Sequence, residues 1–281
     1  IGYRHIDCAP IYGNEAEVGQ ALADSFKEGV TSRDQLWITS KLWNNSHAPE
    51  DVQPSLEKTL SDLQIDSLDL YLIHWPVVLR KEVLFLESVN DLIALDDLPI
   101  SETWPVMEAM VDNGLCNHIG VSNFSVAKLK ELLEISRLMP EMNQIELHPY
   151  LQQPAMLEFC KANGIHLTAY APLGSGDRPA RLKVEDEPIL LEEPAIIKLA
   201  ESRGITPAQL ILSWAIHRQT AVIPKSVNPE RLKQNLNAAE VTLTQDDMQE
   251  MAGFDRHRRY VSGSFWAQEG GPYTIANLWN E

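Results

Sequence analysis

The chain has 281 residues, 44% apolar and 22% charged, which is material for one large core at an ordinary charge density. Its 23 Lys and Arg against 40 Asp and Glu leave a net charge of −17, which argues against nucleic acid or anionic membrane as a partner. Cys8, Cys116 and Cys160 have no metal-ligand spacing, and so sparse and odd a set points to a reducing, cytoplasmic setting. No apolar run is long enough to span a membrane, and no signal peptide is visible.

In chain order, Tyr3 to Asp7 reads as a strand, broken by Pro10 and Gly13, before a helix carrying Val18, Leu22 and Phe26 on one face. Leu36 to Lys41 is the second strand, followed by a helix from Pro49 to Leu63. Leu68 to His74 is the third, closed by Trp75-Pro76. A long irregular connection, Val77 to Ile100, then precedes a helix from Ser101 to Asp112 that Asn113-Gly114 stops. Strands follow at Cys116 to Ser122, Met142 to Leu147, His166 to Ala171 and Ala221 to Pro224. Between them lie helices at Ser125–Ser136, Gln153–Ala162, Glu193–Arg203 and Pro207–His217, and a loop at Leu173–Leu191 containing Gly174-Ser175-Gly176-Asp177. Helices at Pro229–Ala238 and Gln245–Met251 lead to a tail from Gly253 that reads as irregular.

Seven strands alternating with helices predict a parallel sheet. No strand is followed by G-x-G-x-x-G, so a (β/α)8 TIM barrel is expected over a doubly wound fold, as a single domain over residues 1–281. Seven strands and a start inside a strand lead to the expectation that the first βα unit precedes this sequence.

Polar residues recur at the strands' carboxyl ends, where such barrels keep their chemistry. Asp7 and Tyr12 follow the first strand, Lys41 ends the second and His74 the third. A phenol's pKa of about 10 is too high for ready proton exchange, and a nearby ammonium lowers it. Lys41 would do this to Tyr12, with Asp7 holding the lysine charged. A neutral His74 would donate a hydrogen bond to a carbonyl oxygen. Such a group can protonate an oxygen, which suits carbonyl reduction beside a hydride donor. The scattered histidines show no ligand spacing, which weighs against a metal-dependent hydrolase.

The chain resembles the aldo-keto reductase superfamily, in its aldehyde reductase and aldose reductase branch. The resemblance is carried by G-Y-R-H-I-D-C-A-x-x-Y-G-N-E at Gly2 to Glu15, I-T-S-K-L-W at Ile38 to Trp43 and Y-L-I-H-W-P at Tyr71 to Pro76. Further motifs are G-V-S-N-F at Gly120 to Phe124, N-Q-I-E-x-H-P-Y-L at Asn143 to Leu151, A-Y-A-P-L-G-S at Ala169 to Ser175 and I-P-K-S-V-x-P-E-R at Ile223 to Arg231.

The resemblance implies a catalytic tetrad of Asp7, Tyr12, Lys41 and His74, with Tyr12 as general acid and NADPH as hydride donor. It implies nicotinamide contacts from Ser122, Asn123, Gln144 and Tyr170, and pyrophosphate contacts from Leu173 and Ser175 in a loop that folds over the cofactor. Lys225, Ser226, Asn228 and Arg231 would hold the 2′-phosphate and Asn235 the adenine. Lys225 and Arg231 suit a phosphate dianion chemically. Trp43 and Trp75 would line the substrate pocket, and Trp266, Tyr273 and Trp279 lie where the family has its specificity loop. Gln234 and Ala171 depart mildly from the family pattern, and the resemblance implies an N-terminal hairpin as well as the first βα unit ahead of this sequence. The implied protein is a cytoplasmic monomer of the alcohol dehydrogenase (NADP+) or aldehyde reductase type, acting on a small carbonyl substrate. A non-catalytic NADPH-binding regulatory barrel is the alternative.

Overall fold

A computed structural model describes residues 1–176 and 178–280, with Arg181 by its backbone alone. The chain divides into two compact units, one of Arg4–Asn143 with Gly263–Glu281, the other of Ile1–Tyr3 with Gln144–Ser262.

In the first unit β1 (His5–Asp7), α1 (Glu15–Lys27), β2 (Trp37–Leu42), α2 (Pro49–Leu63) and β3 (Leu68–Ile73) follow the expected alternation. Then come β4 (Val78–Leu79), β5 (Leu92–Ile93), α3 (Ile100–Asp112), β6 (Cys116–Ser122) and α4 (Val126–Ile135). The strand order is β1-β2-β3-β6, all parallel. Asp7 lies opposite Thr39, Lys41 opposite Leu72 and Leu72 opposite Gly120, so β2, β3 and β6 end within one residue of each other and β1 ends three residues short of β2. Ile38, Leu42, Tyr71, Leu72 and Ile73 are buried, as in a parallel sheet covered on both faces. Val52, Leu56, Leu60 and Leu63, four and three apart on α2, form its buried stripe. Gly19 of α1 lets the two helices meet: a Cβ there would lie 2.1 Å from the Asp62 carbonyl oxygen of α2.

Two segments differ from expectation. The connection from Val77 to Ile100 contains the antiparallel pair β4–β5. Tyr273 pins it, its hydroxyl accepting from the Val78 amide at 2.8 Å and donating to the Ile93 carbonyl at 2.7 Å. Two-residue strands have no readable period, and their anchor is far away in sequence. The tail, expected to be irregular, contains the helix Ile275–Trp279. Thr274 and Asn277 cap it reciprocally, and Trp279 packs on Trp75 with ring centroids 5.9 Å apart. Five residues are too few to hold a helix without such packing.

The second unit continues with β7 (Met142–Glu146), whose first two residues belong to the first unit, and α5 (Pro154–Ala162). It goes on with β8 (His166–Tyr170), α6 (Pro194–Ser202), α7 (Pro207–His217), β9 (Thr220–Val222), α8 (Pro229–Asn237) and α9 (Gln245–Ala252). The order is β7-β8-β9, with β8 and β9 parallel. β9 stops short of the expected Pro224, which has no amide to continue a ladder. Leu210, Ile211, Leu212 and Trp214 of α7 are buried. Residues 173–191 form the expected loop, with 3-10 turns at Ala180–Leu182 and Leu190–Glu192; Asp177 lies outside the described residues. Among the described residues no helix is long and apolar enough to cross a membrane.

Candidate active site

The first unit brings together the four titratable residues at its strand ends. Beyond β1, residues Pro10–Tyr12 form a 3-10 turn, closed by Gly13 at a φ of 69° with its amide on the Pro10 carbonyl. This turn sets Tyr12 beside Lys41, whose Nζ is fully buried on β2. Nζ donates to Asp7 Oδ1 at 2.5 Å, the Cys8 carbonyl at 2.9 Å and the Tyr12 hydroxyl oxygen at 3.5 Å. All three ammonium protons are thereby placed. Since Tyr12 accepts from the ammonium, its own proton is free for another acceptor. The residue as a whole is 51% exposed, while its hydroxyl end is desolvated beside Lys41.

Burial of Lys41 favours the neutral amine, but Asp7 and Tyr12 outweigh it and its pKa rises above the ordinary value. Tyr12 corrects an expectation: burial pushes its phenol above the ordinary value, and the opposing pull of Lys41 is smaller. An acid that must keep its proton at neutral pH is served by this direction. The ammonium instead stabilises the phenolate once the proton has gone.

His74 follows β3 and is almost entirely buried, its amide on the Leu42 carbonyl at 3.1 Å. Its ring stands edge-on to Tyr12 at 6.2 Å and to Trp43 at 5.1 Å between centroids. Burial first, then Lys41 and His47, hold its pKa well below the ordinary value, so the imidazole is neutral as expected. Its buried Nδ1 has no hydrogen-bond partner among the described residues.

Ser122 and Asn123, both buried at the end of β6, join this group. Asn123 Nδ2 donates to the His74 carbonyl at 2.9 Å and to Ser122 Oγ at 3.1 Å. Trp43 and Trp75 are buried, and Trp43 is fixed by its indole N–H on the Leu84 carbonyl at 2.9 Å. Trp266 packs 6.1 Å from each of them, and Phe265 lies 5.7 Å from Trp75.

The other expected residues lie in the second unit. Gln144 is buried in β7, and Tyr170 is half-buried at the end of β8. Leu173 and Ser175 are half-buried in the loop, Ser175 at a φ of 50°. Asn228 caps α8, its Oδ1 accepting from the Arg231 amide at 3.0 Å, while Ser226 Oγ accepts from the Asn228 amide at 3.1 Å. Lys225 and Arg231 are exposed, and Asn235 is buried on α8. Two cations at a helix start suit a phosphate, with Glu230 the one acid in that first turn.

Sequence reasoning missed the Cys8 carbonyl as a partner of Lys41, because main-chain acceptors carry no sequence signal. It also missed Phe265, whose packing on Trp75 joins distant parts of the chain, and the buried His47 next to His74.

The profile described as "Aldo/keto reductase family" matches residues 1–256. An aldo/keto reductase of Synechocystis is 57% identical over 281 residues, covering 100% of this chain and 86% of that protein. Aldo-keto reductase family 1 member A1 is 43% identical in Rattus norvegicus and 44% in Homo sapiens, each over 93% of this chain and 80% of that protein.

Proposed function

The chain belongs to the aldo/keto reductase family and is an oxidoreductase acting on carbonyls; from that premise we propose that it reduces aldehydes to primary alcohols with NADPH, using Tyr12 as general acid. Its fold class is that family's α/β, (β/α)8 TIM-barrel type.

The observation carrying the proposal is Lys41 Nζ, held by Asp7 at 2.5 Å and donating to the Tyr12 oxygen at 3.5 Å. A carbonyl oxygen reaching Tyr12 accepts the phenolic proton and becomes the alcohol hydroxyl. The phenolate left behind is met by the ammonium already beside it, so no charge must be brought in during the reaction. Asp7 keeps that ammonium charged and aimed. His74, neutral, orients the carbonyl by a hydrogen bond, and Trp43 and Trp75 wall the apolar part of the substrate.

NADPH, when bound, supplies the hydride. Ser122, Asn123 and Gln144 have amide and hydroxyl groups suited to its carboxamide, and Tyr170 a ring suited to stacking. Leu173 and Ser175 would meet the pyrophosphate. Lys225, Ser226, Asn228 and Arg231 would hold the 2′-phosphate, and Asn235 the adenine.

Tyr12→Phe tests the assignment. Turnover of a small aldehyde, followed by nicotinamide absorbance, should fall by at least about 100-fold while NADPH still binds. Near-normal kcat in that variant rules out Tyr12 as the acid.

A further inference from the structure

The second unit contains a buried polar assembly that the proposed chemistry does not use. Glu146, at the end of β7, is fully enclosed, and its carboxylate is held from three sides. Oε1 accepts from the Tyr260 amide at 2.6 Å and lies 2.8 Å from His148 Nε2, while Oε2 accepts from the Val261 amide at 2.8 Å. The amides of Arg256 and Arg258 add bonds to the Tyr150 carbonyl at 3.1 and 2.9 Å. Residues 256–261 are therefore a strap clamped to rigid strand-end structure.

The strap presents Tyr260 to the loop of residues 173–191. The buried phenol donates to the Pro188 carbonyl at 2.6 Å. Arg178 stacks on its ring with 5.1 Å to the centroid. The same guanidinium donates to the carbonyls of Ser175 at 3.0 Å and Leu182 at 3.2 Å and pairs with Glu187, which Arg258 of the strap also approaches, at 3.7 Å. Gly174 completes the fit. It has a φ of 86°, and a Cβ there would stand 3.0 Å from Leu190 Cβ and 3.2 Å from the Tyr260 ring. Burial pushes the phenol to about 12, so it remains a donor through the neutral range.

With only two short 3-10 turns among its described residues, a loop of this length is ordered by such ties. Tyr260 meets the loop at Gly174, Arg178 and Pro188, and Arg178 in turn holds the Ser175 carbonyl, so the phenol ties down the segment that carries Leu173 and Ser175. We infer that Tyr260 is a positioning residue that latches this loop in its closed form and so sets how fast the nicotinamide cofactor leaves. The inference rests on the cofactor reading above, in which Leu173 and Ser175 meet the pyrophosphate.

The test uses the full chain and its Tyr260→Phe variant, which keeps the ring and removes only the hydroxyl. Release of NADP+ is timed by stopped-flow fluorescence, and binding of adenosine 2′,5′-bisphosphate, which lacks the pyrophosphate bridge and nicotinamide, is measured in parallel. Loss of one hydrogen bond should speed release about fivefold and leave bisphosphate affinity unchanged. Glu187→Gln, which weakens the Arg178 and Arg258 ties without touching the phenol, should also speed release. Wild-type release rates in both variants, with both nucleotides still bound, overturn the latch alone. Faster release accompanied by equal loss of bisphosphate affinity marks general damage and also overturns it. A wild-type chain that binds neither nucleotide overturns the cofactor reading and the latch together.

Discussion

At the scale of single residues, the site depends on where protons sit before a substrate arrives. Tyr12 keeps its proton because burial outweighs the pull of Lys41, and His74 stays neutral because burial, Lys41 and His47 all oppose its cation. The two shifts move apart, Tyr12 up from 10.0 and His74 down from 6.5, and leave a wide window in which acid and orienter are both in working form. For aldehyde reduction, kcat/KM should therefore be flat between those ordinary values. It should fall at the alkaline end only above 10.0, as Tyr12 loses its proton, and at the acid end only below 6.5, as His74 gains one. A pH-rate profile under saturating NADPH checks this, and a titration near neutrality that disappears in Tyr12→Phe would contradict it. The four residue types were legible in sequence at successive strand ends. The direction of the Tyr12 shift was not, since charge can be read from a sequence but desolvation depends on what packs around the phenol.

Among the elements, the packing of α1 on α2 places Tyr12 and Lys41 on a common support, because α1 leaves the Tyr12 turn and α2 follows β2. At Gly19 the backbone of α2 comes close against α1. A Cβ there would also lie 2.7 Å from the Leu63 backbone carbon, and neither that atom nor the Asp62 carbonyl can swing away as a side chain tip would. Gly19→Ala should destabilise the protein by about 1–3 kcal/mol from overpacking, less up to about 1 kcal/mol of regained helix propensity. Thermal unfolding beside Gly176→Ala, whose Cβ would meet nothing within 4 Å, checks it. Equal melting temperatures for the two variants would show that the helices separate at no cost. The hydrophobic period of α2 gave its limits, Pro49 to Leu63, directly. The β4–β5 pair and the helix Ile275–Trp279 escaped detection because Tyr273 and Trp75, distant in sequence, hold them in place.

For the whole molecule, burying neutral histidines ties stability to pH. The His47 pKa is lowered by burial to about 3, against an ordinary 6.5 that the unfolded chain recovers. Below 6.5 the unfolded state binds a proton that the folded state refuses, so stability falls as pH drops from 6.5 towards 3. Each such histidine contributes a slope of about 1.4 kcal/mol per pH unit, and His74 adds to it in the same direction. Urea unfolding between those limits should show this slope, reduced by about 1.4 kcal/mol per unit in His47→Gln. An unchanged slope would mean that His47 is protonated in the folded chain.

The sequence by itself determined the alternation of strands and helices, the strand-end position of Asp7, Tyr12, Lys41 and His74, and the family, because periodicity and motif order are properties of the chain read locally. Tertiary structure alone decided the rest. It assigned the three protons of Lys41, set the sign of the Tyr12 shift and built the aromatic wall that Phe265 and Trp266 complete. It also clamped Tyr260 between Glu146 and Pro188. Each of these joins groups far apart in the chain, and their energies come from burial and contact, which no local pattern of residues records.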